Sequence, residues 1–214
     1  MRMDNKMTVL YFHGMGGGGD SRIPSILREC LGPEGVDIVV RTYDFDPQTA
    51  LAQQERWLEE LNPGLLVGES MGASYALAWG RRKGLPVILV SPALNVGAAF
   101  SSLAGLTRIP GVTSLLDRIY RPRPGDRQRL HFCHDFLCQW PPVRSEALSG
   151  AAADGFSAFA FFGTRDHYRR SGIVSIKTWR RHFGDATYRM YDGSHFMEEE
   201  YVRTLLVDAI LQES

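Results

Sequence analysis

Three short stretches carry residues that could act together as a nucleophile, its base and the group that orients the base. In Leu65-Leu66-Val67-Gly68-Glu69-Ser70-Met71-Gly72-Ala73-Ser74, a serine sits in a G-x-S-x-G pattern between an apolar run that reads as a strand and a segment that reads as a helix. Gly68 and Gly72 leave room for a sharp turn that projects the Ser70 hydroxyl above the strand end, at the positive end of the following helix. A serine hydroxyl is a poor nucleophile until a positioned base takes its proton, so the turn demands partners elsewhere in the chain. Phe161-Phe162-Gly163-Thr164-Arg165-Asp166 puts Asp166 just past a later apolar run, and Tyr191-Asp192-Gly193-Ser194-His195-Phe196 puts His195 just past the next. Ser70 is therefore the expected nucleophile, His195 its base and Asp166 the residue that fixes the imidazole tautomer. Asp192 and Asp154 also lie in loops, but Asp166 has the strand-end position. His167 is set aside because adjacent loop residues usually point apart.

The loop "YFHGMGGGGDS", residues 11–21, places five glycines in six positions after an apolar run. Gly14 to Gly19 satisfies G-x-G-x-x-G, the dinucleotide-binding pattern, and Asp44 could then be cast as the ribose-binding acid. A glycine run meets that pattern easily, and the reading leaves Ser70, Asp166 and His195 unexplained. A phosphate-binding loop fits worse, because Gly19-Asp20-Ser21 puts an acid where that motif needs its lysine. The competing reading starts from His13-Gly14, which resembles the His-Gly turn after the first core strand of α/β-hydrolases, where backbone N–H groups serve an oxyanion hole. On that reading the N–H groups of Met15 and Met71 are the oxyanion donors, and Gly14 lies against the substrate.

Positioning these residues requires strands that all end at one edge of a sheet. Strands are expected at Thr8 to His13, Val36 to Tyr43, Leu65 to Gly68, Val87 to Ser91, Phe156 to Gly163 and Thr187 to Tyr191. Helices are expected at Ile23 to Leu31, Ala50 to Leu61, Ser70 to Lys83, roughly Tyr168 to Phe183, and Glu198 to Leu211. Right-handed crossovers between apolar strands imply an α/β fold with a mostly parallel, doubly wound sheet of about six strands. The alternation breaks once, between Asn95 and Gly155, where Pro110, Pro122, Pro124, Pro141 and Pro142 fall. A structureless loop of that length would be unusual, so a small helical lid at 95–155 is expected within a single domain, 1–214.

Phe132, Phe136 and Trp140 in this segment are candidates for an apolar lining, with Phe136 and Trp140 assigned to the substrate. His131, Cys133, His134 and Cys138 invite a metal reading, but their spacing is not a common zinc pattern, so no metal and no cofactor is expected. Arg108, Arg118, Arg121, Arg123, Arg127 and Arg129 outnumber Asp117 and Asp126 there, which would either favour an anionic substrate portion or form a solvated surface. The side chains of Glu69 and Met71 read as packing or surface choices. Glu198, Glu199 and Glu200 read as a solvated, dipole-compensating helix start.

Twenty-four basic and 24 acidic residues cancel, which argues against a nucleic-acid or anionic-membrane partner. Three cysteines are too few and odd in number for a disulfide framework, the start lacks a signal-peptide pattern, and no run approaches the roughly 20 apolar residues of a membrane span. A cytoplasmic protein is expected.

The stretches "LYFHGMGG", "VGESMGASYA", "VILVSPALN", "FFGTRDHYRR" and "YDGSHFMEEEYV" together resemble the YqiA-type family of small bacterial esterases within the α/β-hydrolase superfamily. The resemblance runs over nearly the whole chain, and is looser in the glycine loop and in 95–155. It implies a carboxylic ester hydrolase acting on a small-molecule acyl ester, with thioesters as a variant. The same residues could serve an amidase or acyltransferase, and a silent fold used for binding is the reading from another class.

Overall fold

The computed structural model describes residues 7–213. Six strands, β1 (Met7–Phe12), β2 (Val36–Val40), β3 (Leu65–Glu69), β4 (Pro86–Val90), β5 (Ser157–Gly163) and β6 (Tyr188–Tyr191), form one sheet in the order β2-β1-β3-β4-β5-β6. Every pairing is parallel. β3, which carries the serine turn, therefore lies near the centre, with β1 on one side and β4 on the other.

Side chains alternate along each strand, and the two sets face two separate cores. Val9, Tyr11, Leu65, Val67, Ile88, Val90 and Phe161 face a core closed by α1 (Arg22–Leu31) and by the C-terminal segment. That segment runs through α8 (Glu199–Tyr201), a π turn at Val202–Leu206 and α9 (Val207–Gln212). Leu10, Phe12, Leu66, Val87, Leu89, Ala160 and Phe162 face the other core. It is covered by α2 (Pro47–Leu61), α3 (Gly72–Lys83), α4 (Val96–Ala104), α6 (His134–Ser149) and α7 (Ile176–Phe183). α5 (Val112–Ile119) contributes no buried residue. Burial on both faces explains why the strands are apolar runs rather than alternating ones.

Several boundaries differ from the sequence expectation. α2 begins at Pro47, because Pro is suited to the first turn and the Asp46 carboxylate caps Thr49 N–H at 2.9 Å. The expected helix from Tyr168 is a 3-10 turn, His167–Arg169, then a loop with Gly172 at φ +76°, and α7 starts only after Ser175, whose hydroxyl caps Thr178. Within the segment expected as a lid, α5 is exposed while α6 packs into the domain. α6 is not an outlying element, for it packs beside α3 and α4 and buries Phe136, Leu137, Trp140, Val143, Ala147 and Leu148 in the core. Pro141 and Pro142 lie on its exposed side, where each missing N–H costs least.

Candidate active site

β3 runs into a turn at Ser70, whose φ of +52° is unusual for a residue with a side chain. The turn is held on both sides: Ser70 N–H donates to Val90 O at 3.0 Å and its carbonyl accepts from Ala93 N–H at 3.0 Å. A side chain at Gly68 would meet the Ala73 Cα at 2.8 Å, and one at Gly72 would overlap the carbonyl oxygens of Phe12 and His13. The two glycines of G-x-S-x-G are thus demanded by the approach of α3 to β3 and β1.

The loops after β5 and β6 are tied together and reach back to this turn. Thr164 N–H donates to Tyr191 O and Arg165 N–H to Gly193 O, both at 2.9 Å. Ser194 N–H donates to the Glu198 carboxylate at 3.0 Å, so Glu198 shapes this loop rather than simply facing solvent. His195 then lies with Nε2 2.9 Å from Ser70 Oγ and Nδ1 2.8 Å from Asp166 Oδ2. Asp166 accepts a further bond from Tyr168 N–H at 2.8 Å through its other oxygen. Both Asp166 and His195 are buried, at 4% and 3% exposure, so their bond is shielded from competing water. The Tyr168 ring packs edge-on against the imidazole at 4.6 Å. Of the other acids considered, Asp192 is exposed and holds Thr164 and Arg165, and the carbonyl of Asp154 lies against Gly84.

Ser70 opens on a cavity of about 720 Å³, within the range of small-molecule sites. Gly14, Met15 and Met71 line it. Among the described residues, neither the Met15 nor the Met71 N–H donates to an acceptor of the chain, which leaves both free for a ligand oxygen. The two aromatic residues expected to touch substrate are placed elsewhere: Phe136 and Trp140 are 2% and 1% exposed in the core beneath α4, and it is Phe132 that reaches the cavity. Glu69 is also on the lining, contrary to the packing role read from sequence. Its carboxylate accepts the Tyr11 hydroxyl at 2.8 Å, and burial pushes it above its ordinary pKa against the pull of Tyr11, His195, Arg22 and Arg127. Arg22 of α1 lines the cavity as well, which no local motif signals.

The glycine run has a structural occupant. Gln128 N–H donates to Gly17 O at 2.8 Å, and Gly16 N–H donates to the Gln128 side chain at 3.2 Å. A side chain at Gly18 would overlap the backbone of Asp126, and one at Gly19 its carboxylate. The segment between α5 and α6 therefore lies where a dinucleotide pyrophosphate would have to sit. His13 is fully buried, stacked on Tyr43 at 4.1 Å, with Nδ1 bonded to Gly14 O at 2.8 Å. Burial lowers its pKa to about 4, so it is neutral in the folded protein at pH 7.

The two histidines of the His-Cys cluster have other partners: His131 pairs with Asp117 at 2.8 Å, and His134 Nδ1 with Ala104 O at 2.9 Å. Among the described residues no group of three or more His, Cys, Asp or Glu is arranged to hold a metal ion, and no helix is long and apolar enough to cross a membrane.

Over residues 8–108 the chain matches the model of "Uncharacterised protein family (UPF0227)", a YqiA-like family, in agreement with the resemblance drawn from the motifs. The matched stretch includes Ser70 and ends before Asp166 and His195. A comparison with curated proteins finds no significant match. Solved structures with the same fold include Est1E from Butyrivibrio proteoclasticus with ferulic acid bound, at 14% identity and TM-score 0.62, covering 99% of this chain and 91% of that one. A structure reported for the metagenome-derived lipolytic enzymes LipS and LipT matches at 15% identity and TM-score 0.62, covering 97% and 92%. An esterase from Exiguobacterium antarcticum matches at 14% identity and TM-score 0.55, covering 96% and 91%. The chain has the α/β-hydrolase fold.

Proposed function

We propose that this chain is a serine hydrolase that cleaves carboxylic esters through an acyl-enzyme on Ser70. The observation that carries the reading is the continuous hydrogen-bonded series from Ser70 Oγ through His195 to the buried Asp166. Asp166 holds Nδ1 protonated, which leaves Nε2 free to accept the serine proton. Ser70 Oγ attacks the carbonyl carbon as that proton passes to His195, and the tetrahedral oxyanion is received by the Met15 and Met71 N–H groups. The bond from acyl carbon to alcohol oxygen then breaks, and His195 gives its proton to the departing oxygen. Water repeats the sequence on the acyl-serine, releasing the acid and restoring the hydroxyl. Thioesters offer the same electrophilic carbonyl. Esterases and lipolytic enzymes are among the occupants of this fold named above, so the chemistry lies within what the architecture supports.

Intact mass after treatment with a fluorophosphonate tests the reading without requiring knowledge of the substrate. The wild type is expected to gain one adduct and Ser70→Ala none. Labelling that persists in Ser70→Ala would assign the wrong serine, and folded wild type that takes up no adduct would remove the activated nucleophile altogether.

A further inference from the structure

The cavity on which Ser70 opens has both apolar and cationic lining residues. On the β4 side, Phe100 of α4 and Leu116 of α5 form part of an apolar wall. On the β1 side, three guanidinium groups line the same cavity: Arg22 at the start of α1, and Arg123 and Arg127 in the segment that crosses the glycine loop. Their charge is only partly offset. Arg127 pairs with Asp20 at 2.7 Å, and the lining carboxyl group of Glu69, which accepts the Tyr11 hydroxyl, also interacts electrostatically with Arg22 and Arg127. Arg123 has no acidic or hydrogen-bond partner among the described residues. Arg22 stands in the first turn of α1, where a cation opposes the helix dipole, so helix stability does not account for it.

The surroundings of His195 bear on how an ester would lie in this cavity. Arg22 donates to the carbonyl of Met197, two residues beyond His195, which ties the base to the basic side. A leaving oxygen must lie within reach of His195 Nε2 to be protonated. A departing portion on the side of Arg22 would face the arginines, and the acyl chain would then face Phe100 of α4 and Leu116 of α5.

We propose that the preferred substrate is an ester of an apolar acyl group with an alcohol that bears an anionic oxyacid group, held by Arg123 and Arg22 with Arg127 behind them. The inference rests on Ser70 acting as the nucleophile. Guanidinium groups suit such an anion because their fork of donors matches two oxygens at once.

Three esters with closely matched acyl length and leaving group test it: benzyl hexanoate, the hexanoate of 3-(hydroxymethyl)benzoate, and monobenzyl adipate, whose anion is on the acyl side. At low salt, kcat/KM for the second is expected to exceed that for the first by about tenfold, the scale of a charge-assisted hydrogen bond. The third should fall below the first. The advantage should shrink at about 1 M salt, where the screening length drops to about 3 Å. Arg123→Gln should lower the ratio of second to first several-fold, while Arg123→Lys retains most of it.

A wild-type ratio of one or less, with fluorophosphonate labelling intact, overturns the charge inference and leaves the nucleophile standing. A high ratio unchanged in both Arg123→Gln and Arg22→Gln overturns it too, because the anion would then be held elsewhere. Absence of both labelling and hydrolysis of all three esters instead overturns the reading of Ser70.

Discussion

The turn that carries Ser70 and the exposed helix α5 lie on the same cavity and are built on opposite terms. Around Ser70 the backbone is packed so closely that Gly68 and Gly72 have no space for a methyl group, and the partners of the serine are buried. Around α5, Leu106, Ile109, Leu115 and Ile119 are 49 to 62% exposed, and a side chain at Gly105 would meet nothing within 4 Å. The Ser70 turn is thus held by contacts that tolerate no added atom, whereas the exposed surface around α5 can change at little cost to the fold.

This contrast can be broken most directly at its rigid end. Asp166→Asn keeps the shape of the site but supplies an amide where the imidazole needs an acceptor, so kcat on a chromogenic ester should fall by about 10⁴-fold with folding retained. A loss of less than about tenfold would show that another group orients His195.

The turn itself should resist change just as strongly. Gly72→Ala would drive a methyl group into the Phe12 and His13 carbonyls, and denaturant titration should show a loss of about 3 kcal/mol or more. A variant as stable as the wild type would mean that α3 can shift away from β1, and the close approach would no longer explain the motif.

His13 extends the rigid region beneath the glycine loop and makes it sensitive to acid. Its folded pKa of about 4 lies below its ordinary 6.5, with burial as the main cause and Arg127 adding to it. Above pH 6.5 both folded and unfolded chains hold it neutral, so the stability is fully present. As pH falls from 6.5 towards 4 the unfolded chain takes up the proton first, and about 3 kcal/mol is lost by linkage. His13→Phe, which keeps an aromatic ring over Tyr43, should lose less stability across that window in paired denaturation curves. Parallel curves for the two proteins would show that His13 is not the titrating group.

The exposed segment before α5 should respond least to substitution. Gly105 has φ −63° and free space, so Gly105→Ala should be neutral or stabilise by about 0.5 kcal/mol through the unfolded chain. A clear loss would mean that the segment before α5 packs against something more than its exposure indicates.

The elbow, the acid and the histidine could be read from the chain because each is a local pattern at the end of an apolar strand, and strand ends in a parallel sheet are brought to one edge by the fold class itself. Phe136 and Trp140 could not be placed in the same way. An aromatic pair at helical spacing looks alike whether it faces a cavity or a core, and the two prolines beside it suggested a lid where the helix in fact covers the sheet. The glycine run was incompletely legible for a related reason: glycine reports that something comes close, and the partners are Asp126 and Gln128, more than a hundred residues away.

From sequence alone came the succession of strands and helices along the chain, the G-x-S-x-G turn and the places where a base and an acid could follow it, because these depend on periodicity and on contacts between near neighbours. Only the tertiary structure decided which side chains share the cavity: it set Arg22 against the Met197 carbonyl, turned Glu69 inward to Tyr11 and sent Trp140 into the core. Those outcomes depend on how separate elements pack in three dimensions, and the spacing of residues along one chain does not carry that information.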